Sequence, residues 1–248
     1  MKKITKEYIS IDDNNITFEQ EKVLEVNQLI PLGINNNDNM ENIADMSAYF
    51  SQTINPILSM YNAAMNATTS RLTIIKDEFD FSKKRYPIHH IDTRLKSADS
   101  ILGKLNNKKL PLTLTAACNH IYDIAGIRVI CPYVKDVYLI HERITAQDDI
   151  VIMEEKDYIM NPKRNGYRSL HLIIRMPVYF MNKKQMVPVE LQFRTLAMDL
   201  WASLEHNIKY KSIDKESPID FTAKLYECSN LIYKVEAEME KMLEILEE

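Results

Sequence analysis

Glycine is nearly missing from this chain, with four in 248 residues. Where glycine is this scarce, each one is expected to mark a place where the backbone needs its freedom. Gly33 falls in a turn-like stretch and Gly103 late in a helical one, while Gly126 and Gly166 sit inside the two densest polar motifs. Cysteine is scarce too. Cys118, Cys131 and Cys228 form no CxxC pair, and an odd count argues against a disulfide framework. No apolar run approaches the length of a membrane span, and the N-terminal MKKITKEYISIDD has lysines but no apolar segment of a secretory signal. A net positive charge is also lacking, the formal value being −4. Such a chain has no basic footprint for general nucleic-acid binding, although local basic clusters can still hold small anions. Together these absences lead to the expectation of a protein in a reducing cytoplasm, away from membranes.

What is present is apolar material in quantity. Hydrophobic residues make up 46% and charged residues 27% of the chain, enough for a sizeable core in one domain with helical attachments. Residues 1–40 read as weakly structured, with Pro31-Leu32-Gly33 and an Asn-rich patch at 35–39 as turn signals. Between 41 and 80, Phe50, Ile54, Ile57, Tyr61, Ala64, Thr68, Leu72, Ile75 and Phe79 recur in steps of three and four, predicting an amphipathic helix or helix pair bent or broken near Pro56. Further helices are expected at 93–105, 113–122, 135–146 and 196–210. Strands are expected at 124–131, 150–154, 169–180 and 187–195, the last two joined by a turn over 182–185. At the C-terminus Phe221, Leu225, Cys228, Ile232, Val235, Met239, Met242 and Leu246 alternate steps of four and three, a heptad stripe. It suits either packing on its own domain or contact between subunits. This order of elements implies an α+β fold with a mixed or antiparallel sheet.

Four polar clusters carry the chemistry. Arg94, Lys96, Ser100 and Lys104 come first. Over a helix, Lys96, Ser100 and Lys104 would share one face, suiting either a polyphosphate or plain solvation. Asp123 then stands at the mouth of an apolar strand with Arg128 five residues on. Strict alternation would put the two on opposite faces, and a bulge at Gly126 would resolve this. Asp is a hard oxygen ligand suited to Mg²⁺ or else one half of a buried ion pair. The third cluster, Lys163-Arg164-Asn165-Gly166-Tyr167-Arg168-Ser169-Leu170-His171, is a turn followed by side chains that can stack on a base and meet phosphate. In the fourth, Glu190, Gln192 and Arg194 alternate and so project from one strand face, as a site wall or as ordinary solvent-facing positions. Two carboxylates from separate strands, many cations and an aromatic ring add up to nucleotide phosphoryl chemistry.

RLKSADSILGKL, DIAGIRV, KRNGYRSLHL and ELQFRTLAMDLWASLEH resemble, in order and spacing, the synthetase domain of the RelA/SpoT alarmone enzymes over residues 45 to 212. The short chain is similar to the single-domain small alarmone synthetases of RelQ and RelP type. The resemblance implies a nucleotidyltransferase-like α+β domain that moves the β,γ-pyrophosphate of ATP to the ribose 3′-hydroxyl of GDP, GTP or GMP with Mg²⁺. It implies that Arg94, Lys96, Ser100, Lys104, Arg128 and Lys156 meet ATP. It assigns Asp123 to the metal and Glu190 to activating the hydroxyl, with some contact to the metal. It places Lys163, Asn165, Tyr167, His171, Gln192 and Asp199 around the guanine nucleotide, Tyr167 stacking on the base.

Two positions depart from the family pattern: Arg164 replaces a proline of the acceptor loop, and His90 replaces an aromatic tied to effector binding. Asp199 stands where many relatives have Asn or Asp near the guanine, which leaves the base selection there open. No His-Asp dipeptide of the family's hydrolase domain is present, so synthesis without degradation is expected, and no long C-terminal regulatory region is seen, so independence of the ribosome is expected. The expected organisation is a weakly structured segment at 1–40, a catalytic domain at 41–212 and an oligomer-building helix at 213–248, in a homotetramer. The competing readings are a toxin-like pyrophosphotransferase acting on adenosine nucleotides or tRNA, and an inactive nucleotide-binding relative.

Overall fold

The computed structural model describes residues 50, 53–82, 86–213 and 220–247. The expectation for 1–40 lies outside these. Helix α1 (Asn55–Ser82) leads into strand β1 (His90–Leu95), then helices α2 (Ala98–Asn107) and α3 (Leu114–His120). Strand β2 (Ala125–Cys131), helix α4 (Val134–Thr145) and strands β3 (Val151–Asp157), β4 (Leu170–Phe180) and β5 (Lys183–Thr195) follow. Helices α5 (Leu196–Ile213) and α6 (Thr222–Glu247) complete the chain.

The five strands form one sheet in the order β1-β2-β5-β4-β3. Only β2 and β5 run parallel; the other neighbours are antiparallel, so the sheet is mixed as expected. Alternation sorts its side chains onto two faces. Ile127, Val129, Leu170, Leu172, Ile174, Leu191 and Phe193 are buried on one, in a single core with Ile57, Tyr61, Leu72 and Ile75 of α1 and Val137, Ile140 and Ile144 of α4. Each such side chain contributes about 1.5–3 kcal/mol by leaving water. Pro56 lies in the first turn of α1, where its missing N–H leaves no bond unmade, and the helical residues before it end in a bend at Ile54, so the expected break lies next to Pro56.

Three local expectations are corrected. The helix expected at 93–105 begins only at Ala98. His90–Leu95 instead pairs with β2, and Ser97 caps α2 by accepting from the Ser100 amide at 3.3 Å. Arg94 and Lys96 therefore do not share a helix with Ser100 and Lys104. Gly126 carries no bulge: its register runs unbroken on both sides, and Asp123 precedes the strand, so alternation does not bind it. The hairpin turn is Met181-Asn182, not 182–185, because Phe180 already pairs with Lys183. Of the described glycines only Gly166 has a positive φ; Gly103 has nothing within 4 Å of where a Cβ would stand.

Met181 (φ 49°) and Asn182 (φ 61°) both occupy the left-handed region that a two-residue hairpin turn demands. Methionine is poorly suited to it. Met181→Asn is expected to raise stability by about 0.5–1 kcal/mol, measured as a higher urea midpoint with an unchanged slope.

Candidate active site

The second sheet face is polar, and the strand register arranges it in two rows. Asp92, Arg128, Gln192, His171 and Lys156 lie side by side across the five strands, and next to them Arg94, Gly126, Glu190, Ile173 and Glu154. Two hollows open on this face. The larger, about 460 Å³, is lined by Arg94, Lys96, Asp123, Arg128, Glu190 and Gln192. The smaller, about 100 Å³, is lined by Lys156, Tyr158, His171 and Glu190. Glu190 borders both.

In the larger hollow one oxygen of Asp123 gathers two lysines: Lys96 Nζ at 2.7 Å and Lys104 Nζ at 2.6 Å. The cations that a single helix was expected to align thus converge through a carboxylate. Burial alone would raise the Asp123 carboxyl, but hydrogen bonds from Lys104 and Lys96 outweigh it and hold the group below its ordinary range. Its other oxygen, Oδ1, is buried without a hydrogen-bond partner, as is Nε of Arg128. Ser100 stays on the first turn of α2 with its hydroxyl 2.8 Å from that of Ser97.

Glu190 Oε2 accepts from Gln192 at 3.1 Å, and Oε1 stands 3.6 Å from His171 Nδ1. Near the smaller hollow, Tyr167 shares its hydroxyl with His171 Nε2 and Arg194 Nη2, each at 2.8 Å. The Lys163 ammonium lies over the rings of Tyr158 and Tyr167, 4.5 and 4.8 Å from their centroids. Burial, then the charges of Lys156 and Lys209, push Lys163 below the ordinary lysine range. Lys156 bonds Glu154 at 2.5 Å. Asn165 is committed to the loop: its amide donates to Glu205 and its carbonyl caps the Tyr167 amide. Asp199 accepts from Arg194 at 3.0 Å and lies 3.5 Å from Arg128.

Arg194, Tyr158 and Trp201 belong to this constellation; Arg194 is expected only as part of a candidate site wall, with no role of its own, and Tyr158 and Trp201 are not among the expected site residues. Arg194 is buried and joins Tyr167, Gln192 and Asp199; its place in the Glu190–Gln192–Arg194 alternation was the available signal. Tyr158 and Trp201 reach Tyr167 edge-on, at 6.2 and 6.5 Å between centroids, and no local sequence pattern marks them.

A polar sheet face with a cation-lined cleft, a bridging carboxylate and an aromatic loop defines a nucleotide phosphotransferase. Residues 93–215 match the family model described as a region found in RelA / SpoT proteins. The chain is 41% identical to the GTP pyrophosphokinase YwaC of Bacillus subtilis over 77% of its own length and 89% of that protein's. It is 34% identical to the GTP pyrophosphokinase YjbM of the same organism, over 61% and 70%. The crystal structure of small alarmone synthetase 1 from Bacillus subtilis, bound to its product pppGpp, superposes with a TM-score of 0.70 at 30% identity, over 81% of this chain and 99% of that one. Small alarmone synthetase 2 gives 0.66 at 39%, over 75% and 96%. The chain belongs to the small alarmone synthetases of the RelA/SpoT family.

Behind the Tyr167 loop, on α6, Glu236 is buried with Oε1 unpartnered. Burial raises its carboxyl from 4.5 to about 7, against a Thr195 hydrogen bond and the Arg168 charge that lower it and with the Glu240 charge that raises it. Between those values the folded protein holds a proton that the unfolded chain has released, so stability is full below about pH 4.5 and lost as pH rises through about 7. Glu236→Gln is expected to gain on the order of 2 kcal/mol at pH 8 and little at pH 5, read from thermal unfolding at both.

Proposed function

We propose that this protein makes guanosine 3′-pyrophosphate alarmones, transferring the β,γ-pyrophosphate of ATP to the 3′-hydroxyl of GDP, GTP or GMP in the stringent response. The single observation carrying this is Glu190 in the shared wall of the two hollows, between a cation-lined cleft that suits a triphosphate and an aromatic-edged pocket that suits a nucleoside. Glu190 takes the proton as the 3′-oxygen bonds to the β-phosphorus, while the bond from that phosphorus to the α,β-bridging oxygen breaks and AMP leaves. His171 and Gln192 hold the carboxylate for this. Lys96 and Lys104 offset charge on the triphosphate, and the Arg94 and Arg128 guanidiniums flank adenine. Lys156 steadies the transferred phosphates from the other side. Tyr167 stacks on guanine, taking the place of the Lys163 ammonium, which swings toward phosphate; Asp199 meets the base edge.

The residues present fit Mg²⁺. Among the described residues no group of three or more His, Cys, Asp or Glu forms a cage. Mg²⁺ instead needs one or two carboxylates beside substrate phosphates, and the unpartnered Oδ1 of Asp123, aided by Glu190, is such a donor. When bound, the ion neutralises charge on the phosphoryl oxygens.

The chain acts in the cytoplasm as a homotetramer, with residues 41–212 as the catalytic domain and 213–248 contributing to assembly. Supporting this, Leu231, Val235 and Met242 of α6 are 64%, 62% and 63% exposed. Leu196, Leu200, Leu204 and Ile208 form a second exposed apolar stripe on α5. No described helix is long and apolar enough to cross a membrane. Nothing in the site favours an adenosine or tRNA acceptor, and both carboxylates of an active enzyme are in place.

Incubation with Mg²⁺, γ-labelled ATP and each of GMP, GDP, GTP and ADP tests the function. Label is expected in a guanosine 3′-pyrophosphate with release of AMP; label passing only to ADP would overturn it. Glu190→Gln is expected to lower turnover by about 10²–10⁴-fold while both nucleotides still bind in calorimetry. Val235→Glu combined with Met242→Glu is expected to lower the oligomer mass in light scattering without lowering helix content.

A further inference from the structure

Given that function, the loop carrying Tyr167 must be held still if the ring is to select an acceptor. Its own hydrogen bonds close only its turn: Gly166 N to Lys163 O at 2.8 Å and Lys163 N to Tyr167 O at 3.2 Å. Besides the Asn165 amide on Glu205 of α5 at 2.9 Å, what fixes the turn in space comes from α6. The residue before Tyr167 is pressed onto that helix. Gly166 has φ +89°, and a Cβ there would stand 2.6 Å from Ser229 Cβ and 3.0 Å from Tyr226 Cα. Buried Ser229 donates its hydroxyl to Gly166 O at 2.5 Å. The residue after Tyr167 is tied to the same helix one position on. Arg168 Nη2 donates to Asn230 Oδ1 at 3.2 Å, its guanidinium lies 4.3 Å from the centre of the Tyr233 ring, and Nη1 donates to Ile159 O at 2.6 Å. The space left at this joint is about 10 Å³, room for about one water.

We infer that Ser229 and Asn230 are positioning residues for the acceptor nucleotide, so that α6 is a working part of the acceptor site and not only an assembly element. By pinning the residues on either side of Tyr167, they set the height and tilt of the ring on which the base stacks. The larger cleft has no lining residue on α6, so ATP binding is independent of the latch.

The protein carries its own reporter of this joint. Its one tryptophan, Trp201, lies 6.5 Å from the Tyr167 ring and donates Nε1–H to Leu225 O of α6 at 3.0 Å. The test uses the full chain with Ser229→Ala, Asn230→Ala and their combination, and Ile140→Val in the distant core as a stability control. Steady-state KM is measured for ATP and for the acceptor, and acceptor binding without ATP is followed by Trp201 fluorescence. Each single variant is expected to raise acceptor KM and the fluorescence Kd about three- to tenfold, the combination more, with the KM of ATP unchanged. Ile140→Val is expected to lose stability with neither constant moving. Unchanged acceptor constants in the combined variant, or acceptor and ATP constants rising together, would overturn the inference. The ratio is read with whichever acceptor the unmutated chain uses. A non-guanosine acceptor would overturn the proposed function, while the latch would still be judged by its own ratio.

Discussion

The parallel pairing of β2 with β5 is the constraint on which the rest of the site depends. It sets Gly126 beside Glu190 and Arg128 beside Gln192, joining two motifs that are some sixty residues apart in the chain. A strand slipped by one residue turns all its side chains to the other face. The apolar set Ile127, Val129, Leu191 and Phe193 resists that slip by filling the core beneath α1 and α4. Hydrophobic burial on one face thereby fixes the position of charge on the other. Gly126 adds a small but necessary absence: with no side chain beside Glu190, the floor of the larger cleft stays open.

Arg194 then links the two hollows. From a buried position it reaches Tyr167 beside the smaller hollow and Asp199, which also approaches Arg128 in the wall of the larger one. A buried guanidinium is costly unless its donors are met, and here a carboxylate, an amide oxygen and a phenol meet Nη1 and Nη2, while Nε is left without a partner. The chain Arg128–Asp199–Arg194–Tyr167 gives the two hollows a common electrostatic element.

Much of this was legible beforehand because its signals are local. The apolar periodicity of α1 and the alternation of β4 and β5 announced their elements, and Glu190, Gln192 and Asp123 announced polar groups in apolar surroundings. The misread segments are those where tertiary pairing overrides local preference. The stretch at 93–97 has helical composition, but it extends because β2 offers an unpaired edge. Lys96 and Lys104 meet through Asp123, a partner nineteen residues beyond Lys104 that no helical wheel includes. Tyr158 reaches Tyr167 through the pairing of β3 with β4, and Trp201 and Ser229 reach the Tyr167 loop only through the packing of α5 and α6. The heptad stripe of α6 was legible as periodicity, yet the face the helix buries includes Leu225, Ser229 and Glu236, so most of the stripe is left facing outward.

The three cysteines are unequally placed. Cys118 and Cys131 are enclosed in the core, and burial pushes both thiols up, Cys118 to about 12. Cys228 is exposed on α6, one residue before Ser229. In the single chain only Cys228 is open to alkylating reagents and oxidants, since the other two present neither surface nor thiolate. Because Cys228 lies in the apolar stripe of α6, its reactivity toward a maleimide reads out whether that stripe is covered, without any cysteine having to be removed first.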